Sequence, residues 1–167
     1  MSAVARGFEG GVAGRVKRKG MKKFESLIQS LHNFKKKGEF TFQENDSLRE
    51  VCNIPNENNY SGIYLFFNSK NNELIYIGIS GREAKDGSII HRKDGLRGRF
   101  LKGKQFGDFR PKTLSIQMQK ENIQSLRIEW FVTCGFLETV IPRHLEKELL
   151  ERHLFEKRRL PSWNKII

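Results

Sequence analysis

The chain has 167 residues, and its 31 Lys and Arg against 19 Asp and Glu give a formal net charge of +12 at pH 7. With 37% hydrophobic and 11% aromatic residues there is apolar material for one packed core, which excludes wholesale disorder. Two cysteines, Cys52 and Cys134, with no CxxC spacing argue against a disulfide scaffold or a structural zinc module. With no apolar run near ~20 residues and no hydrophobic leader, a soluble cytoplasmic protein with no membrane partner is expected.

Residues 1–20 are rich in Gly, Ala, Arg and Lys without apolar periodicity and read as a flexible basic tail, followed by an in-frame Met21. Residues 1–38 together carry ten basic and two acidic side chains, a net +8. From Lys22 onward, Phe24, Leu27, Ile28, Leu31 and Phe34 recur at three- and four-residue steps. This spacing predicts an amphipathic helix ending at Gly38, with Lys35, Lys36 and Lys37 in its last turn, where they serve the helix dipole or a phosphate contact. A short helix is expected over 47–52, capped by Asp46 or Ser47, so that 21–60 forms an N-terminal helical segment.

Residues 62–68 (GIYLFFN) and 73–80 (ELIYIGIS) are β-branched and aromatic runs around a Ser69-Lys70-Asn71-Asn72 turn, a hairpin signal. A turn centred on Lys70 makes Tyr64 and Tyr76 cross-strand neighbours. Alternation puts Ile63, Leu65 and Phe67 on one face, and Tyr64 and Phe66 on the other. The polar stretch 81–112 carries ten basic and four acidic residues, a second cluster of net +6. A third strand is expected over 126–134, and a helix from Arg143 to about Lys157, opened by Pro142.

The pair Gly62-Ile63-Tyr64 and Tyr76-Ile77-Gly78, at hairpin spacing, resembles the signature of the GIY-YIG nuclease family. The resemblance runs from Gly62 to Asn164 and implies an α+β fold, with a small central antiparallel sheet of about three strands flanked by helices and an added N-terminal helix. It defines residues 61–167 as the nuclease domain and leaves 21–60 as a DNA-contacting segment. It further implies an arginine on the first helix after the hairpin. Leu96-Arg97-Gly98-Arg99-Phe100 favours Arg99 for it, ahead of Arg97, with Arg92 and Arg82 behind. Four positions beyond Arg99, where many members carry His or Tyr, stands Gly103, with Lys102 or Lys104 as substitutes, while His91 reads as a solvent-facing loop residue.

The family's glutamate has two frames here, Glu146 and Glu151. Spacing to Pro161 and Asn164 favours Glu151. The helical wheel favours Glu146, which falls inside the arc of Leu145, Leu149, Leu150 and Leu154 with His153, whereas Glu148 and Glu151 join the charged face. A carboxylate on a core-facing arc is costly unless paired or holding a metal, so Glu146 is preferred. Its alternative is a structural ion pair with a nearby arginine. Asn164 after Pro161 and Trp163 resembles the family's terminal motif, implying a group that fixes the backbone or a tyrosine of the site.

By resemblance, the chain is expected to be a Mg²⁺-dependent endonuclease of double-stranded DNA, with one ion per site held by Glu146. Arg99 clamps a nonbridging oxygen, Tyr64 acts as general base and Tyr76 orients Tyr64 or the attacking water. Lys35, Lys36, Lys37, Arg92, Lys93, Arg97, Lys102 and Lys104 are the expected DNA contacts. A homodimeric restriction endonuclease is the expected biological form. Homing or structure-selective repair nucleases, and a noncatalytic nucleic-acid-binding protein on the same scaffold, are the alternatives.

Overall fold

The computed structural model describes residues 22–167; the tail expected over 1–20 lies outside the described residues. Helix α1 (Phe24–Leu31) buries the predicted stripe of Phe24, Leu27, Ile28 and Leu31 but stops well short of Gly38. His32, Asn33 and Phe34 donate to carbonyls three residues back rather than four, which tightens the last turn and ends the helix. Lys35 and Lys36 therefore stand in a loop, and Lys37 opens strand β1 (Lys37–Gln43) instead of closing a helix. The alternating inward pair Phe40 and Phe42 carries the strand pattern that the helical reading of this stretch passed over.

Helix α2 (Leu48–Val51) follows Ser47 as expected. The hairpin then forms from β2 (Ser61–Asn68) and β3 (Glu73–Ser80). The polar stretch after it holds a small hairpin, β4 (Arg82–Glu83) with β5 (Ile89–Ile90), then α3 (Gly95–Lys102). Next come a second small hairpin, β6 (Lys104–Gln105) with β7 (Asp108–Phe109), and α4 (Arg110–Lys120). Strand β8 (Ser125–Gly135), β9 (Glu138–Thr139) and α5 (Pro142–Lys157) complete the order.

The fold is α+β. Its main sheet has five strands, in the order β1-β8-β2-β3 with β9 paired to β8, every pair antiparallel. The expected count of about three fell short because β1 lay hidden in the lysine-rich segment and β9 is two residues long. Through β1, the 21–60 segment shares the sheet of the residues that follow.

Both faces of the sheet are covered, which is why β2 reads as a nearly continuous apolar run. On one face, Tyr64, Phe66, Ile128 and Trp130 pack with Leu96, Phe100, Leu114 and Met118 of α3 and α4. On the other, Ile63, Leu65 and Phe131 pack with the α1 stripe and with Leu149 and Leu150 of α5. Cys52 and Cys134 are buried free thiols. Among the described residues, no helix is long and apolar enough to cross a membrane.

His153 of α5 is buried in the second layer, edge-on to Phe24 with ring centroids 5.2 Å apart, and its Nδ1 lies 2.7 Å from the Arg159 carbonyl. Burial, and after it the nearby charges of Arg159 and Lys157, holds this imidazole below its ordinary range against the raising effect of the Arg159 carbonyl. The folded chain thus binds fewer protons here than the unfolded chain once the pH falls below the unfolded value of about 6.5. The stability contributed is complete above that pH and is lost as pH falls through the folded value. Thermal unfolding at pH 7.5 and pH 5.5 is expected to show a lower Tm at the acid pH, and His153→Gln to shrink the difference; an unchanged difference would refute this source.

Candidate active site

The hairpin places the two motif tyrosines on one face of the sheet, although not directly opposite each other. Tyr64 pairs with Gly78, and Tyr76 with Phe66. The expected register fails by two residues for two reasons. The Asn68↔Glu73 pair centres the turn between Lys70 and Asn71, and a bulge at Ile75 between the Phe66 and Phe67 pairs adds one more residue. Tyr64 and Tyr76 become diagonal neighbours with ring centroids 6.1 Å apart. Their shared face survives because the error is an even number of residues.

The glycines of the two motifs make the close approaches possible. A Cβ on Gly62 would collide with the Phe131 carbonyl of β8, and one on Gly78 would overlap the Tyr64 ring, 2.6 Å from its hydroxyl oxygen. Tyr64 lies flat over Gly78, with Phe100 of α3 edge-on at 5.2 Å. Tyr64 is 1% exposed, whereas Tyr76 is half-buried. Burial, then the neighbouring Tyr64, pushes the Tyr76 phenol well above its ordinary range; Arg110 and Arg99 pull the other way, and Glu146 adds to the rise. Tyr64, Arg99 and Glu146 thus each lie within electrostatic reach of Tyr76.

At the end of β3, an edge strand of the main sheet, an open cleft of about 770 Å³ is lined by Ile79 and Gly81. Arg99 enters it from α3 on one face of the sheet and Glu146 from α5 on the other. Arg82, Lys85, Arg92 and Arg143 add four further cations to its lining, against Glu83 as the second carboxylate. Arg99 is half-buried and appears in none of the hydrogen bonds or ion pairs among the described residues, its Nε being buried without a partner. A second cavity, of about 530 Å³ between α1 and α5, is lined by none of the expected site residues.

Glu146 lies in the cleft as the helical wheel predicts, beside buried Leu149, Leu150 and His153; Leu154, also assigned to that arc, is 40% exposed. Glu151 is exposed on the opposite side, 3.8 Å from Lys147. Burial raises the Glu146 carboxyl above its ordinary range, only partly offset by Arg143. A half-buried carboxylate with no hydrogen-bond or ion-pair partner among the described residues suits a single hard cation, whose remaining ligands are water and substrate oxygen. Among the described residues, no group of three His, Cys, Asp or Glu side chains is poised to hold a metal; the carboxylates lining the cleft are Glu146 and Glu83, the latter 2.8 Å from His144.

Asn164 clamps β3 between Tyr76 and Gly78: its Oδ1 accepts from the Ile77 N–H and its Nδ2 donates to the Ile77 carbonyl, each at 2.9 Å. The adjacent Trp163 backbone N–H donates to Ile75 at 2.8 Å.

The chain was compared with protein-family models, with curated proteins and with solved structures. Nothing matches in any of the three.

The remaining expected residues scatter. Arg97 donates to the carbonyls of Cys52 (2.6 Å), Ile54 (3.0 Å) and Arg49 (3.2 Å), so its guanidinium ties α3 to the α2 loop. Lys102 pairs with Asp94 at 2.6 Å, and Lys104 lies over the Phe109 ring. Lys36 lies over Phe136 at the β8–β9 turn, and Lys37 donates to the Phe34 carbonyl at the end of α1. Neither these five nor exposed Lys35 and Lys93 line the cleft; of the expected DNA contacts, only Arg92 does. His91 is half-buried with its Nδ1 2.6 Å from Ser61 Oγ, so it pins the 81–95 loop to β2 rather than facing solvent.

Arg143 and Arg110 went unselected in the sequence. Arg143 directly follows Pro142 at the start of α5 and was visible as a first-turn cation. Arg110 gave no signal, being one of ten basic residues in a polar stretch, yet it is 1% exposed and donates to Tyr64 Oη at 3.0 Å.

Proposed function

We propose that this protein is a GIY-YIG-type endonuclease that hydrolyses phosphodiester bonds in double-stranded DNA with the help of Mg²⁺. The observation that carries this reading is the convergence of Arg99 and Glu146, each without a protein partner among the described residues, in one cation-rich cleft at the end of the strand bearing Tyr76. Hydrolysis of a phosphodiester requires an attacking water relieved of its proton, neutralisation of the charge that builds on phosphorus-bound oxygen, and stabilisation of the leaving 3′ oxygen. A half-buried, unpartnered guanidinium serves the second need, since its planar fork is always charged and matches phosphate oxygens. Tyr76, kept protonated, is a hydrogen-bond donor that orients the water, and Tyr64 is the base, acting directly or through one intervening water. Glu146 would hold the Mg²⁺, which when bound neutralises charge at the leaving oxygen. Arg82, Lys85, Arg92 and Arg143 draw the DNA backbone in by counterion release.

With one such site per chain, cutting both strands calls for two copies, and a homodimer reading a palindromic site is the restriction form of this activity. Supercoiled plasmid incubated with the wild-type chain and Mg²⁺ is expected to be nicked and linearised, and EDTA to stop it. Discrete fragments from a large DNA support the restriction role, and cutting confined to branched or damaged DNA moves it to repair. A folded chain that binds DNA but never nicks it overturns the enzyme reading in favour of a binding protein.

A further inference from the structure

Arg110 opens α4, just before Pro111, and its guanidinium is sealed in the core against the tyrosine pair. Nε donates to Gln105 Oε1 at 2.9 Å, Nη1 to the Phe100 carbonyl, and Nη2 to Tyr64 Oη at 3.0 Å. The rings of Tyr64, Phe100, Phe66 and Tyr76 surround it, with centroids 5.0 to 5.9 Å from Cζ. None of the ion pairs among the described residues includes it. A Cβ on Gly103 would meet Nη1 and Nη2 only at ordinary contact distance, 3.4 Å, its close approach being to the Arg99 carbonyl at 2.7 Å.

A buried guanidinium without a carboxylate is a costly way to fill a core, and an apolar side chain of similar volume avoids that cost. The arrangement delivers a rigid hold on one phenol oxygen. A guanidinium only donates, so Tyr64 Oη accepts from it and must direct its own proton elsewhere. Among the described residues, Tyr64 Oη has no second hydrogen-bond partner. The oxygen keeps one hydrogen-bonding position without a protein partner among the described residues, with a permanent positive charge fixed behind it.

We infer that Arg110 is the positioning residue of Tyr64, fixing the orientation and electrostatic surroundings of its phenol oxygen; this rests on the nuclease reading above. Single-turnover cleavage and DNA affinity of the wild type, Arg110→Met, Tyr64→Phe and the double variant test it. Arg110→Met is expected to lose about a hundredfold in cleavage rate. Its DNA affinity should stay within about twofold, because the buried group touches no solvent. The double variant should be no slower than Tyr64→Phe alone, since a residue acting through Tyr64 has nothing left to lose once the phenol oxygen is gone. Arg110→Lys, which keeps the charge without the fork, should recover part of the rate.

Wild-type cleavage by Arg110→Met overturns the inference. So does a double variant slowed by the full product of the two single losses, which marks Arg110 as packing alone. Circular dichroism checks each fold, and if Arg110→Met does not fold, the same cycle is run with Arg110→Lys. A folded wild-type chain that never cuts brings down the nuclease reading and this role with it, an outcome distinct from a wild type that cuts and an Arg110 variant that cuts equally well.

Discussion

Glu146→Gln is expected to abolish DNA cleavage and to make the protein more stable. The carboxylate lies half-buried in the cleft with no hydrogen-bond or ion-pair partner among the described residues, and burial raises it above its ordinary range. A raised carboxyl means that the folded chain takes up its proton at a higher pH than the unfolded chain. Between the unfolded and folded values, stability falls as pH rises, and above the folded value the whole cost of the buried charge is present. Removing the charge while keeping the shape recovers that cost, and a higher Tm than the wild type is expected. The gain should be greatest above the folded value and shrink as pH falls towards the ordinary carboxylate range. Cleavage should fall about a thousandfold or more. Glu151→Gln, which breaks only an exposed pair with Lys147, should leave both readouts near wild type. Differential scanning calorimetry across pH and plasmid nicking check the two halves separately. If Glu151→Gln is the inactive variant, the assignment of the metal-holding carboxylate is wrong.

Gly78→Ala is the second large effect, and its stability arm holds whatever the protein's activity. The Tyr64 ring lies over Gly78, so closely that a methyl group there overlaps ring carbons. Neither side has room to yield: β2 and β3 hold the backbone in register, Phe100 sits against the ring, and Asn164 clamps the neighbouring Ile77 at both its N–H and its carbonyl. Overpacking of this kind costs about 1 to 3 kcal/mol, and a Tm lower by roughly 2 to 12 °C is expected. The tyrosine must tilt away, which strips Tyr64 Oη from Arg110. Cleavage should fall with Tm, measured well below the unfolding transition. A variant that is less stable but fully active would show that the placement of Tyr64 does not govern the rate.

The hairpin and both tyrosines were legible because a strand with two buried faces writes itself as a β-branched and aromatic run. Glu146 was legible for a related reason, the 3.6-residue period that sets it among leucines while Glu151 joins the charges. Strand β1 was not, since Phe40 and Phe42 are too few to outweigh the helical period running up to Phe34. Of the two residues by which the register missed, one belongs to the turn centre and the other to the bulge at Ile75, whose carbonyl also accepts from the Trp163 backbone. The basic residues were the least legible of all. Arg97 and Arg99 competed for one role and Arg110 drew none, yet one binds three carbonyls of the 49–54 segment, one enters the cleft and one is sealed in the core.

The sequence by itself determined an α+β chain with a tyrosine-bearing hairpin, a core-facing glutamate and a large positive charge, because periodicity and composition are local properties of the chain. Only the tertiary structure decided where each of the charges stands. Charge is counted along a sequence, but its energy depends on solvent and partners. Those are set where α3 and α5 meet across the end of β3, bringing Arg99 and Glu146 together from 47 positions apart, and where α4 folds Arg110 back onto Tyr64.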